Sequence, residues 1–147
     1  MKILVLCGPS GSGKTSSLKM LIDELKTEGV EIKSCSHIET EHGDGDVRVV
    51  INWHNRRVGI CTGGDTAPIV EDNFRFLQDN SCDIGVSGLR QNDKQWPLFQ
   101  VFVSHCEEVP QFIWKLKGEK INPRKWDNEA IDRVAVGQLR LMLEGGL

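Results

Sequence analysis

Residues 8–15 read Gly-Pro-Ser-Gly-Ser-Gly-Lys-Thr, a glycine-rich run that ends in a lysine and a hydroxyl residue. Glycines let a backbone wrap with its N–H groups pointing inward, which forms a concave site for an anion. Lys14 supplies a positive charge that can reach the β- and γ-phosphates of a nucleotide, and the hydroxyl of Thr15 can ligate Mg²⁺. The spacing therefore predicts a phosphate-binding loop that holds a nucleoside triphosphate with Mg²⁺.

The residues on either side of this run predict the elements that would position it. Ile3-Leu4-Val5-Leu6-Cys7 is an apolar stretch of strand length directly before Gly8. After the run, apolar residues recur at helical spacing and predict a helix over about Lys14–Glu28, which ends at Gly29. These apolar residues are Leu18, Leu21, Ile22 and Leu25. The helix would present the N–H groups of its first turn and its positive dipole end to the same anion.

The run meets the pattern G-x-x-x-x-G-K-[ST] at every fixed position and resembles the Walker A element of the P-loop NTPase superfamily. The resemblance covers roughly the first thirty residues. It implies a P-loop NTPase-like fold, with ATP and Mg²⁺ as cofactors and a set of nucleotide-binding residues. That set is Gly8, Ser10, Gly11, Ser12, Gly13, Lys14, Thr15 and Ser16. The loop is similar to those of small P-loop kinases; the guanine-reading pattern N-K-x-D is missing, which leaves ATP as the default and GTP as the alternative.

Short apolar runs between turn residues predict further strands. Val47–Trp53 and Val58–Thr62 are joined by a linker of hairpin length, so we expect them to pair antiparallel. A helix follows, with Thr66 as its N-cap and Pro68 in its first turn. Cys82–Gly88 then predicts another buried strand.

The last third of the chain predicts one more strand, Leu98–Val103, and two helices. The apolar residues of the first, short helix are Val109, Phe112, Ile113 and Leu116, and those of the second, about Asp127–Leu143, are Ile131, Val134, Ala135, Leu139 and Met142. The element order predicts a single α/β domain spanning 1–147. We expect a three-layer sandwich around a mainly parallel sheet with an antiparallel hairpin insertion.

In open α/β sheets the ligand lies beyond the carboxyl ends of the strands, and two charged residues are expected there. Asp65 follows the run Ile60–Gly64 and is the candidate for the carboxylate that P-loop proteins place near Mg²⁺, with a plain helix N-cap as the alternative. Arg90 lies just past a strand and can stabilise charge on a transferred phosphoryl group, unless it is a solvated loop residue. We therefore predict Lys14, Asp65 and Arg90 as catalytic residues, and Thr15 and Asp65 as metal ligands.

Other polar residues have weaker arguments. Glu39 or Glu41, in the polar loop 39–46, could activate an acceptor hydroxyl, although a polar loop without a catalytic role is the simpler interpretation. Arg56 and Arg57 are placed at the hairpin tip, where we expect them to be solvated, with substrate binding as the alternative.

Charge and composition argue against several classes of protein. The 147 residues carry a net charge of −3, so there is no overall basic field and nucleic acid is not an expected partner. No apolar run approaches the roughly eighteen residues of a membrane span. The five cysteines are odd in number and widely spaced, which is typical of buried thiols in a cytoplasmic protein rather than of a disulfide framework. A homo-oligomer is left open.

These observations predict an ATP-dependent kinase that acts on a nucleotide or another small hydroxyl acceptor, held near residues 37–57. The first alternative is a small NTPase or nucleotide-dependent switch that hydrolyses ATP or GTP, in which the N–H of Gly64 senses the γ-phosphate. The second is a non-catalytic interaction module that binds nucleotide without turnover.

Overall fold

The computed structural model describes residues 1–9, 13–37, 45–64, 66–91, 104, 110–115, 119–122, 125–127 and 129–145, which form an α/β structure. Its strands are β1 (Lys2–Pro9), β2 (Glu31–His37), β3 (Val47–Trp53), β4 (Arg56–Cys61), β5 (Ile84–Gln91), β6 (Gln111–Trp114), β7 (Glu119–Asn122) and β8 (Lys125–Asp127). Its helices are α1 (Lys14–Thr27), α2 (Ala67–Asp79) and α3 (Glu129–Glu144). No helix among these residues has the length and apolar character needed to cross a membrane. The predicted strand Leu98–Val103 lies outside the described residues.

Six of the strands form one mixed sheet in the order β2-β3-β4-β5-β1-β6. β3 pairs antiparallel with both of its neighbours, and the other pairs in this sheet are parallel. The β3–β4 hairpin turns at His54 and Asn55, which both have positive φ angles, 49° and 61°. Such a two-residue turn matches the twist of paired strands. The predicted hairpin is therefore present, and β7 and β8 form a second pair that was not predicted.

Alternate residues of β1 belong to two separate apolar cores, so helices pack on both faces of the sheet. Leu4 and Leu6 lie in a core with residues of α1 and α3, whereas Ile3 and Val5 lie in a core with residues of α2. This alternation follows from the two-residue period of a strand buried on both faces. The described elements therefore form three layers, helix, sheet and helix, and the sheet is mixed, with three parallel and two antiparallel pairs rather than mainly parallel.

The signals that begin and end the first two helices act as the sequence predicts. Gly29, just after α1, has a φ of +79°, the left-handed conformation that glycine adopts without steric cost. The hydroxyl of Thr66 accepts a hydrogen bond from the N–H of Ile69 at 3.4 Å and caps α2, with Pro68 in the first turn. α1 therefore begins and ends within one residue of its predicted limits, and α2 begins directly after its predicted N-cap.

The predicted short helix over 109–116 is wrong, because Gln111–Trp114 is a strand that pairs parallel with β1. Phe112 packs against the α2 core and Ile113 belongs to the α1–α3 core, which is the alternation of a strand. Three large apolar residues in succession fit both a helix and a short buried strand. Pairing with the open edge of β1 decides between the two.

The predicted buried face of the last helix is also partly wrong. α3 buries one acid and four apolar residues, namely Asp132, Ala135, Val136, Leu139 and Leu143. Val134, predicted to be in the core, is 63% exposed. The buried face therefore includes Asp132 and Val136, while Val134 points to solvent.

Candidate functional site

The ends of several strands meet at one edge of the sheet, which we call the strand-end edge. It comprises the carboxyl ends of β1, β4 and β5 and the amino end of β3. Gly8 of β1 is in register with Arg90 of β5, and Arg48 of β3 is in register with Cys61 of β4. α1 begins at the same edge, at Lys14. Since ligands of open α/β sheets bind beyond the carboxyl ends of the strands, this edge is the candidate site.

The described part of the glycine loop leads into α1 at a start where no side chain caps the helix. Gly13 has a φ of +81°, which side chains disfavour, and it caps α1 without a side-chain hydrogen bond. The first turn contains no acidic residue. Lys14 is only 9% exposed. The first turn is therefore suited to an external anion, while Ser10, Gly11 and Ser12 lie outside the described residues.

Asp46 lies against Thr15 at this edge, and sequence reasoning did not single it out. The hydroxyl of Thr15 lies 3.5 Å from Oδ1 of Asp46 and 3.4 Å from the carbonyl oxygen of Thr62. The hydroxyl of Thr62 donates to the same Asp46 oxygen at 3.2 Å and accepts from the N–H of Val47 at 2.8 Å. The pairing of β3 with β4 thus brings a residue of the polar loop to the first turn of α1.

A hydroxyl, a carboxylate and a backbone carbonyl converge here, and these are the oxygen ligands that Mg²⁺ prefers. Neighbouring ligands of an octahedral Mg²⁺ lie about 2.9 Å apart, so the 3.5 Å between the Thr15 and Asp46 oxygens needs only a small adjustment. Within the described ranges, no Lys, Arg or His forms an ion pair with Asp46. The same ranges contain no group of three His, Cys, Asp or Glu residues that could hold a metal ion. The residues present therefore fit Mg²⁺ with water ligands, and Asp65, predicted for this role, lies outside the described residues.

The backbone after β4 packs too closely against its neighbours to carry side chains. A Cβ atom on Gly64 would lie 1.9 Å from a carbonyl oxygen of β5, and one on Gly63 would lie 2.7 Å from Oδ2 of Asp46. The carbonyl oxygen of Gly64 accepts from the N–H of Arg90 at 3.0 Å. These two glycines therefore leave the space that the Asp46 carboxylate occupies and join the end of β4 to the end of β5.

Arg90 was predicted to lie just past a strand, but it is the second-last residue of β5, where it is in register with Gly8 of β1. It is half-buried at the end of β5, and its Nε is buried without a hydrogen-bond partner in the described part of the chain. A guanidinium N–H without a partner can donate to a phosphate oxygen, which arginine binds well because its donors are fixed in a plane. Two of the three residues predicted to be catalytic, Lys14 and Arg90, therefore lie at the strand-end edge.

A buried ion pair lies against the first turn of α1 from the side of α3. Nζ of Lys115, which follows β6, bonds to Oδ1 of Asp132. The hydroxyl of Ser17 donates to Asp132 at 2.8 Å, and that of Ser16 donates at 3.3 Å. The N–H of Lys115 also donates to the carbonyl oxygen of Cys7 at 2.7 Å. The hydroxyl of Ser16, which was predicted to contact nucleotide, therefore contacts a carboxylate of the protein here.

The cysteines described in the core are protonated thiols. Burial raises the pKa of Cys7 and of Cys61 to about 12, and that of Cys82 to about 11. Lys14 and Arg48 lower the first two pKa values, but less than burial raises them. These thiols are therefore poor nucleophiles at neutral pH and act as small buried side chains.

The hairpin tip lies at the other edge of the sheet from Thr15. β3 begins at the strand-end edge and its seven residues cover about 20 Å before the turn. Arg56 donates to the carbonyl oxygen of Leu143 at 2.8 Å, and the N–H of Arg57 donates to the carboxylate of Asp83 at 2.8 Å. The expectation that an acceptor is held near residues 37–57 therefore fails for the end of that range.

The register of the hairpin is the signal that could have found Asp46. With the turn at His54 and Asn55, each step away from it pairs residues whose numbers add to 109, as in Val49 with Ile60. Extending that register by three steps sets Asp46 opposite Gly63.

Comparisons with protein-family models, curated proteins and solved structures gave no match.

Proposed function

We propose that the protein is a Mg²⁺-dependent, ATP-binding phosphotransferase of the P-loop NTPase type, acting on a nucleotide or another small acceptor. The proposal rests on one observation: the hydroxyl of Thr15 lies 3.5 Å from the Asp46 carboxylate. Thr15 is the last residue of the glycine loop, and the pair that it forms with Asp46 lies at the edge where α/β sheets bind ligands. A strand, a glycine loop, a lysine and a hydroxyl beside an acid that has no ion pair in the described part of the chain together form the set of groups needed for a nucleotide with its metal ion.

Each residue at the strand-end edge has a distinct role in this proposal. The backbone of the loop and the first turn of α1 bind the phosphates, and Lys14 reaches the β- and γ-phosphates. Thr15 and Asp46 hold Mg²⁺, which when bound neutralises charge on the phosphates. The guanidinium group of Arg90 donates hydrogen bonds to the transferred phosphoryl group and stabilises the negative charge that develops on it.

The proposed reaction breaks the bond between the γ-phosphorus and the oxygen that bridges it to the β-phosphate. The electron pair leaves with ADP, and an oxygen of the acceptor forms the new P–O bond. A hydroxyl acceptor loses its proton to a base or to water, whereas a phosphate dianion has no proton to lose. Positioning and charge stabilisation supply most of the rate enhancement in such transfers.

The hydrogen bonds after β4 favour a fixed transfer site over a nucleotide-driven switch. The carbonyl oxygen of Gly63 accepts from the side-chain amide of Asn73 at 3.0 Å, and that of Gly64 accepts from Arg90. Asn73 is itself buried and accepts from Nε of Arg48 at 2.8 Å. A segment held by α2 and by β5 has less freedom to reorder on hydrolysis than an unpaired loop.

Calorimetric titration with Mg²⁺ and a non-hydrolysable ATP analogue tests the nucleotide site. We expect binding by the unmutated protein and a loss of about 100-fold or more in Lys14→Ala, because the lysine contacts phosphate charge in a largely buried place. Lys33→Ala, at an exposed lysine of β2, is the matched control. Absence of binding by the unmutated protein would contradict the proposal.

Transfer of labelled γ-phosphate to a panel of nucleosides, nucleotides and hydroxyl metabolites tests the reaction class. A labelled acceptor that depends on Lys14 and Mg²⁺ supports a phosphotransferase. Release of inorganic phosphate at the same rate with and without every acceptor would instead identify an NTPase.

A further inference from the structure

A groove runs away from the Thr15–Asp46 pair between α1 and the β2–β3 part of the sheet, and we call it the α1–β3 groove. Its volume is about 320 Å³, at the lower end for small-molecule pockets. Gly45 and Val47, the neighbours of Asp46 in the chain, both line it. The groove therefore begins beside the proposed metal site.

The helix side of the groove carries two lysines in one line with Thr15. Lys19 and Lys26 both line the groove, one turn and three turns below Thr15, at the spacing that places residues on one face of a helix. Asp23 is the acid of the described lining, so two positive charges face one negative charge. Within the described ranges, neither lysine forms an ion pair with a carboxylate.

The sheet side of the groove is apolar. Val47 and Val49 of β3 line it together with Ile22 of α1, and Ile22 and Val49 are buried in the α1–α3 core. Apolar walls with a few convergent polar groups are typical of sites for small organic molecules. Val47, the half-buried one of the three, thus offers a small apolar contact beside two cations for an anionic group.

The neighbouring cavity on the other side of α1 shows how these charges differ from ordinary surface pairs. It shares Lys19 and Asp23 with the groove and is also lined by Glu24 and Glu28, and its arginine, Arg140, donates to Glu28 at 2.8 Å and to Glu24 at 3.3 Å. The guanidinium group of Arg140 is therefore already neutralised by the protein, whereas Lys19, which lines both cavities, forms no ion pair within the described ranges. In the α1–β3 groove the described residues leave both ammonium groups available to a ligand.

We infer that the α1–β3 groove binds a small phosphomonoester, with Lys19 and Lys26 as its anion-binding residues. The inference rests on the proposed function, because the groove opens beside Thr15 and Asp46 and so would hold the phosphoryl acceptor. Lysine binds phosphate as a mobile point charge, which suits a shallow groove better than a rigid fork of donors would. Nucleoside monophosphates and sugar phosphates share this chemistry.

Cys35 lines the same groove from β2 and is exposed, so its alkylation reports on occupancy. The experiment measures the rate of iodoacetamide modification of Cys35 by peptide mass spectrometry, with the glycine loop filled by Mg²⁺ and the ATP analogue. The probes are AMP, CMP, GMP, UMP and dTMP, each with its nucleoside, and glucose 6-phosphate with glucose. We expect at least one phosphomonoester to slow modification by about tenfold or more while its phosphate-free partner does not.

Charge reversal separates recognition by the lysines from general shielding. Lys19→Glu and Lys26→Glu are each expected to weaken the protective phosphomonoester by about tenfold or more, whereas Arg75→Glu, an exposed change on α2, is expected to keep it. Unaltered Cys35 rates with every probe, or equal protection by phosphate-free partners, would overturn the inference. Equal protection in the Lys19→Glu and Lys26→Glu variants would overturn it as well.

The two proposals fail in different ways. Calorimetry that shows ATP-analogue binding together with unprotected Cys35 refutes the groove and leaves the nucleotide site standing. Absence of ATP-analogue binding together with phosphomonoester protection that depends on Lys19 refutes the nucleotide site and supports the groove as an independent anion site.

Discussion

Two carboxylates contact neighbouring residues in the first turn of α1, and their surroundings are opposite. Asp46 is half-buried at the strand-end edge, where its described contacts are the hydroxyls of Thr15 and Thr62. Asp132 has a side chain only 7% exposed, and it contacts the ammonium group of Lys115 as well as two hydroxyls. One acid is met by neutral donors and the other by a buried cation.

This difference separates a carboxylate that can take up a cation from one that already has it. A buried acid without a positive partner is costly, so the interior position of Asp132 depends on Lys115. Asp46 keeps access to water, which lowers that cost and leaves its charge for a metal ion. Two acids that contact one helix turn can thus serve stability and binding separately.

The largest effect on folding is expected at the buried acid. Asp132→Ala would remove the carboxylate that the buried ammonium group of Lys115 contacts, and should lower the free energy of unfolding by about 3–5 kcal/mol. Glu129→Ala, at an exposed acid in the first turn of the same helix, should change it by less than about 1 kcal/mol. Asp46→Asn should also stay within about 1 kcal/mol, because an amide can still accept from both hydroxyls. Urea denaturation of the three variants measures the comparison, and an Asp132→Ala loss below about 1 kcal/mol would break it.

A smaller loss of unfolding free energy is expected when a side chain is added to the glycine backbone that leaves room for Asp46. Gly64→Ala would force a Cβ atom to within 1.9 Å of a backbone carbonyl, so we expect a loss of about 1–3 kcal/mol as β4 and β5 separate. Gly137→Ala is the matched control, because a Cβ there meets no atom within 4 Å and alanine favours helix. The control should be neutral or stabilising in the same denaturation experiment. A Gly64→Ala variant as stable as the unmutated protein would contradict the close packing of Gly64 against the backbone of β5.

The thiols of the α2 core, Cys7, Cys61 and Cys82, are buried groups whose nearby positive charges do not offset the cost of ionisation. Their pKa values of about 11–12 lie above the ordinary value of 9.0, so the folded protein keeps these protons while unfolded thiols ionise. Stability should therefore be unaffected below about pH 8.5 and fall from pH 9 upward, by at most about 1.4 kcal/mol per pH unit for each thiol. The chain has no tyrosine, so thiols dominate this range before lysines titrate. Cys61→Ala should reduce the slope of unfolding free energy against pH between 9 and 10, and an unchanged slope would count against the assignment.

The local signals of the sequence were enough for the elements around the glycine loop. An apolar run before Gly8, helical spacing after Thr15 and a cap at Gly29 each act within a few residues, so α1 and β1 were predicted correctly. The hairpin and the α2 cap at Thr66 are equally local. Such signals need no knowledge of the rest of the fold.

The errors and omissions come from contacts between distant parts of the chain. Asp46 reaches Thr15 only through the β3–β4 register, 31 residues along the chain. Asp132 is buried in an ion pair with Lys115, 17 residues away in the chain, although an acid on a helix is ordinarily solvated. The strand at Phe112 owes its conformation to the open edge of β1. Tertiary partners decided each of these, and periodicity could not supply them.

The direct test of the central claim is the effect of Mg²⁺ on ATP-analogue affinity in Asp46→Asn compared with Asp65→Asn. If Asp46 holds the metal with Thr15, Mg²⁺ should strengthen binding by about tenfold or more in the unmutated protein, and Asp46→Asn should lose most of that gain while keeping its Mg²⁺-free affinity. Calorimetry with and without Mg²⁺ gives all of these affinities. An Asp46→Asn variant with the full Mg²⁺ gain, beside an Asp65→Asn variant that has lost it, would contradict the account.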